Sequence, residues 1–128
     1  MKMKSIVIEK TYSTPEVNFD FDKGLLSLRG RSIPEDSIGF YEPLLNSITE
    51  YSKNPLKNTI VNIQLEYFNT NSARSIYDLL NRLDKINNTH NLVINWYYDS
   101  DDDDMREVGE DLQKMLKTNF NIIPVEEE

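Results

Sequence analysis

Cysteine is absent from this chain of 128 residues, which excludes disulfides, thiolate metal sites and cysteine nucleophiles and fits a reducing compartment. Glycine occurs only four times, scattered, so there is no glycine-rich loop to cradle a phosphate. The one histidine, His90, lies in the polar run Asn87-Asn88-Thr89-His90-Asn91. No serine or acid stands at a fixed spacing from it, which points to an exposed loop residue rather than a catalytic base. No apolar run approaches the roughly 18 residues that cross a bilayer. Near the start, Ser5 and Glu9 bracket only three apolar residues behind Lys2 and Lys4, far short of a signal peptide's central region. The expectation is one domain over residues 1–128, cytoplasmic, with no membrane insertion and no cofactor.

What is present is acid. The net charge is −8, concentrated in Asp99 to Asp104, Glu107, Glu110 and the tail Glu126 to Glu128. Such a surface repels a phosphate backbone, so nucleic acid is excluded as a partner, while encounter with a basic protein face is accelerated.

Hydrophobic periodicity outlines the elements. After an apolar piece at Ile6 to Ile8, Val17, Phe19 and Phe21 alternate, Asp22-Lys23-Gly24 turns, and Leu26 and Leu28 resume the alternation, which predicts a β-hairpin. The segment Gly30 to Glu35 breaks the pattern, and Ile38, Tyr41, Leu45 and Ile48 then take helical spacing to about Ser52. Pro43 complicates this helix, because proline is comfortable only in a first turn. The helix proper is therefore expected to start near Glu42, or to be preceded by a looser turn. A strand follows near Thr59 to Tyr67, a helix near Asn71 to Ile86, a strand through Leu92, Ile94, Trp96 and Tyr98, a helix marked by Met105, Val108, Leu112, Met115 and Leu116, and a strand at Phe120 to Ile123. The order ββαβαβαβ predicts an α/β domain with a mixed sheet. Its middle strands are polar at alternate positions, so the helices should lie mainly on one face.

The sharpest local feature is Tyr67-Phe68-Asn69-Thr70-Asn71-Ser72. Upstream, Val61, Ile63, Leu65 and Tyr67 alternate with Asn62, Gln64 and Glu66, the period of a strand with one buried face. Downstream, Ile76, Leu79, Leu80 and Leu83 make one helical stripe, so the N-cap falls within Asn69 to Ser72. One side chain suffices for a cap. The remaining hydroxyls and amides sit beside free backbone N–H groups that tolerate an anion.

Two other groups invite a reading. Asp99, Asp101, Asp103 and Glu110 fall at positions 1, 3, 5 and 12 of the calcium-loop template. Position 6, however, is Asp104 instead of glycine, and helical period runs through the back half. A solvated acidic loop leading into a helix is the expectation, with a small metal-dependent enzyme built on Asp99 to Glu110 as the alternative. Trp96 and Tyr98 share the apolar face with Leu92 and Ile94, whereas Tyr97 points the other way, where it would join Phe68 or polar neighbours as a contact for a partner.

Taken together, Ser13-Thr14-Pro15-Glu16-Val17, Gly30-Arg31-Ser32-Ile33-Pro34-Glu35-Asp36, Tyr67 to Ser72, Trp96-Tyr97-Tyr98-Asp99 and Glu107-Val108-Gly109-Glu110 resemble the SiaC family of bacterial regulatory phosphoproteins over nearly the whole chain. The resemblance implies a fold similar to STAS domains, the anti-sigma-factor antagonists of partner-switching systems. It implies that Thr70 is phosphorylated by a partner kinase and dephosphorylated by a PP2C-like phosphatase. The unmodified form would then bind a target such as a diguanylate cyclase, in cyclic-di-GMP and biofilm signalling, with no catalysis of its own. The contact residues expected around Thr70 are Phe68, Asn69, Asn71, Ser72 and Arg74, with Tyr97 on the sheet. The family usually has a second hydroxyl where this chain has Asn71, and an acid and an aromatic where it has Arg31 and Ile33. An interaction domain never modified at Thr70 is the other alternative.

Overall fold

The computed structural model describes residues 3–126; Lys2 and the tail acids Glu127 and Glu128 lie outside the described residues. Six strands, β1 (Ile6–Ile8), β2 (Glu16–Asp20), β3 (Leu25–Ser32), β4 (Asn58–Phe68), β5 (Asn91–Asp99) and β6 (Asn119–Val125), form one sheet in sequence order. The first three pair antiparallel and the last four parallel. Helices α1 (Ser37–Ser52), α2 (Thr70–Asp84) and α3 (Asp103–Met115) make the three crossovers, and a single 3-10 turn, Lys85–Asn88, extends α2. The piece at Ile6–Ile8 is thus a true edge strand, and the order is βββαβαβαβ.

Strand order that advances in one direction through right-handed crossovers puts every helix on the same face. The core follows from this. Val17, Phe19, Leu26, Leu28, Val61, Ile63, Leu92, Ile94, Trp96 and Phe120 are buried beneath Tyr41, Leu44 and Ile48 of α1, Ile76, Leu79, Leu80 and Leu83 of α2, and Met105 and Leu112 of α3. Each fully buried aliphatic contributes about 1.5–3 kcal/mol. The other face stays open and is laced by amides: Asn95 Nδ2 donates to Asn62 Oδ1 at 2.9 Å, and Asn121 Nδ2 to Asn95 Oδ1 at 3.0 Å. Alternating Asn positions explain why no second layer of helices packs there.

Three sequence expectations are corrected. Strand β3 runs on to Ser32, past the expected break at Gly30, because it keeps a partner in β4. Helix α1 begins at Ser37, well before Glu42, since Asp36 caps it by accepting from the Gly39 N–H at 3.0 Å. Pro43 sits inside this helix, where it removes the helical donor to the carbonyl of Gly39, a residue on the exposed side. Turning the helix in this way leaves Ile38 outside the core at 75% exposure.

The third correction bears directly on function. In the β3–β4 ladder Gly30 faces Leu65, but Arg31 faces Tyr67 and Ser32 faces Phe68. Glu66 is the extra residue of a bulge, which reverses the alternation of inward and outward side chains beyond it. Gly30 meets the same irregularity with φ +118, a conformation other residues adopt with strain. Tyr67, expected on the buried face, is 53% exposed. Phe68 packs against the core in its place.

Candidate functional site

The bulge delivers the chain to a fixed corner. Asn69 donates its N–H to Ser32 O at 3.1 Å, and its side chain Oδ1 accepts from the Ser72 N–H at 2.9 Å. Asn69 is therefore the N-cap of α2, with extended backbone (φ −87, ψ 174), and Thr70 is the first helical residue. Asn71 N–H and Thr70 N–H are the first-turn donors with no helical acceptor.

Below this corner lies a buried polar chain. Ser72 Oγ accepts from Ser32 Oγ at 2.9 Å, and Ser32 Oγ is 2.6 Å from the Tyr41 hydroxyl. All three are buried. Burial pushes the Tyr41 phenol up to about 12, partly offset by its hydrogen bond with Ser32. The chain ties β3, α1 and α2 together beneath Thr70, in a region where an unpaired hydroxyl would be costly. The proposed contact residue Ser72 is accordingly corrected to an internal one: its side chain faces Ser32 and is not available to a partner.

The remaining corner residues are reachable. Thr70, Asn71 and Arg74 are exposed, and Phe68 and Asn69 are half-buried. Thr70 Oγ1 has no hydrogen-bond partner among the described residues, because Asn69 has taken the capping role. Thr70, Ala73 and Tyr77 follow one another at helical spacing, and Phe68, Ala73 and Tyr77 line a narrow apolar groove between α2 and α3. On the other side of α2, Asn71 and Arg74 line a cleft against α1. Tyr97 stands apart on the open face, in register with Gln64 and Ile123, and so does not join Phe68, which the bulge has turned toward the helices.

The acidic run is organised by α3. Asp102 caps the helix by accepting from the Met105 N–H at 3.0 Å, and Asp103 and Asp104 occupy its first turn, where carboxylates interact favourably with the helix dipole. Positions 5 to 12 of the calcium template thus lie in or beyond this turn of α3, and the wrapping loop that calcium requires is not formed. Among the described residues no group of three or more His, Asp or Glu side chains is placed to hold a metal ion. No helix there is long and apolar enough to cross a membrane. Sequence reasoning missed the Ser32–Tyr41–Ser72 chain; a serine at each of two strand-to-helix corners was its only signal.

Fold and site together define a class: a small α/β domain, helices on one face, that presents an unencumbered threonine at a helix N-terminus. The chain belongs to the SiaC family of regulatory phosphoproteins, whose model matches residues 8–125. A Pseudomonas aeruginosa (strain UCBPP-PA14) protein described as uncharacterized is 26% identical over 121 residues, 94% of this chain and 96% of its own length. The crystal structure of apo-SiaC from P. aeruginosa superposes with a TM-score of 0.86 at 24% identity, covering 94% of this chain and 99% of that one. SiaC in the crystal structure of the diguanylate cyclase SiaD with its activator SiaC from the same organism gives 0.87 at 24% identity, with the same coverage. These likenesses establish the shared fold.

Proposed function

We propose that this chain is a non-enzymatic switch protein, reversibly phosphorylated on Thr70, whose unmodified form binds and regulates a diguanylate cyclase. A partner kinase adds the phosphate and a PP2C-like phosphatase removes it. Family membership supports a regulatory role, and the P. aeruginosa SiaC–SiaD complex supports the choice of target class. The observation that carries the assignment of Thr70 is its exposed hydroxyl, released from capping by Asn69.

Phosphorylation adds about −1.5 to −2 charges at a helix N-terminus, where the protein accommodates them without refolding. A target docked over Phe68, Asn69, Asn71 and Arg74, with Tyr97 as a contact on the open face, meets a charge it must desolvate. A coupling of about 1–3 kcal/mol changes its affinity roughly 5- to 150-fold.

The test is to incubate the protein with ATP and a kinase candidate encoded beside it, and to locate added phosphate by mass spectrometry with Thr70→Ala as control. Phosphate on Thr70, with weaker cyclase binding by the modified form, is the expected result. A kinase active on another substrate that leaves Thr70 bare refutes that pairing.

A further inference from the structure

We propose that Arg74 receives the Thr70 phosphate in cis, so that modification withdraws its guanidinium from the cleft between α1 and α2; the inference rests on Thr70 being the phosphoacceptor. Thr70, Arg74, Asp78 and Arg82 follow one another at i, i+4 along α2. The lower pair is already formed, with Arg82 Nε donating to Asp78 Oδ1 at 3.0 Å and Nη2 to Oδ2 at 3.3 Å. The upper pair has the same spacing and the same polarity, acid position first and base second, which is the favoured orientation on a helix. It lacks only the acid.

Arg74 is free to take that role. It is exposed and has no ion pair or hydrogen bond among the described residues, because Asp78, the acid one turn further on, is held by Arg82. The first turn of α2 contains no acidic residue, whereas α3 carries Asp103 and Asp104 in the same place. Side chains four residues apart on a helix have Cβ atoms about 5–6 Å apart. The reach of a phosphothreonine and an arginine spans that distance, and the resulting hydrogen bonds are charge-assisted.

The α1–α2 cleft gives the capture a consequence. It has a volume of about 700 Å³, and Glu35, Glu42, Ser37 and Arg74 line it. Of these, Ser37 is only 7% exposed, and its hydroxyl oxygen is closed off from solvent with no hydrogen-bond partner among the described residues, so it offers nothing to a docked group. Arg82 is committed to Asp78, so Arg74 is the cation of this lining that has no carboxylate partner among the described residues, beside Glu35, Asp36 and Glu42. A target group that pairs with Arg74 in this cleft loses its counter-charge when the phosphate claims the guanidinium, and meets the carboxylates of Glu35, Asp36 and Glu42 instead. The target is expelled with no change of fold.

The experiment uses protein with phosphothreonine installed at position 70 during translation, so that it depends on no kinase. The second ionisation of the phosphate is followed by 31P NMR against pH in the parent sequence, in Arg74→Gln and in Arg74→Lys. The expected midpoint is about half a pH unit lower in the parent than in the Gln variant, with the Lys variant between them, because a neighbouring cation favours the dianion. Coincident curves for the parent and the Gln variant overturn the inference. The kinase assay is a separate readout: a bare Thr70 there refutes the pairing with that kinase, whatever this titration gives.

Discussion

At the scale of single residues, Thr70 and Ser72 show how two hydroxyls in one short segment take opposite roles. Thr70, first in α2, is exposed with no hydrogen-bond partner among the described residues, and Ser72, two residues on, is fully buried against Ser32. Truncating them should therefore give different results. Thr70→Ala is expected to change stability by no more than about 0.5 kcal/mol, as at other surface sites without special contacts. Ser72→Ala removes the acceptor for Ser32 and should cost about 1–2 kcal/mol. Urea unfolding of the two variants beside the parent checks both figures; equal losses would place Thr70 inside the corner's hydrogen-bond network. Asn69 was legible as part of the cap from the change of period on either side of it. That Asn69, rather than Thr70 or Ser72, does the capping depends on which of several suitable side chains can reach the Ser72 N–H while its backbone bonds to Ser32.

At the scale of elements, the bulge at Glu66 and the seating of α3 position the surfaces beside Thr70. The bulge was hidden from the sequence because the alternation Val61, Ile63, Leu65, Tyr67 continues unbroken through it; only the pairing with β3 reverses the last residues. Helix α3, by contrast, was plain from its apolar spacing, yet its closeness to the sheet was not. A Cβ at Gly109 would lie 2.6 Å from Trp96 Cδ1 and 2.9 Å from its Nε1, and that indole is locked by donating to Met105 O at 3.1 Å. Gly109→Ala must push helix and ring apart. The expected cost is about 1–3 kcal/mol, typical of overpacking, with a changed Trp96 fluorescence spectrum in the folded state. Unchanged stability and spectrum would show that α3 can slide on β5 freely.

At the scale of the whole molecule, three helices on one face and an open amide-laced face make a domain whose interior holds a buried polar chain across three elements, Ser32, Tyr41 and Ser72. Its ionisation is coupled to global unfolding. The Tyr41 phenol has its pKa raised from 10.0 to about 12 in the folded state, so the folded protein holds this proton more tightly than the unfolded chain. The associated stability is fully present below pH 10 and is lost as pH rises through about 12, on the order of 2 kcal/mol. Urea unfolding between pH 9 and 12 should show this decline, and Tyr41→Phe should remove that part of it while lowering stability at pH 7 through loss of the Ser32 bond. A decline of the same size in the Phe variant would assign it to other groups. The sequence by itself determined the mixed α/β class, the strand and helix periods, the cap region around Thr70 and the acidic lead into α3, because each is written in local spacing and composition. Tertiary structure alone decided that Ser72 is internal, that Tyr67 turns outward while Phe68 turns in, and that Tyr97 and Phe68 lie on opposite faces. Each of these depends on strand register and on which helix packs where, and both are set by contacts between residues far apart in the chain.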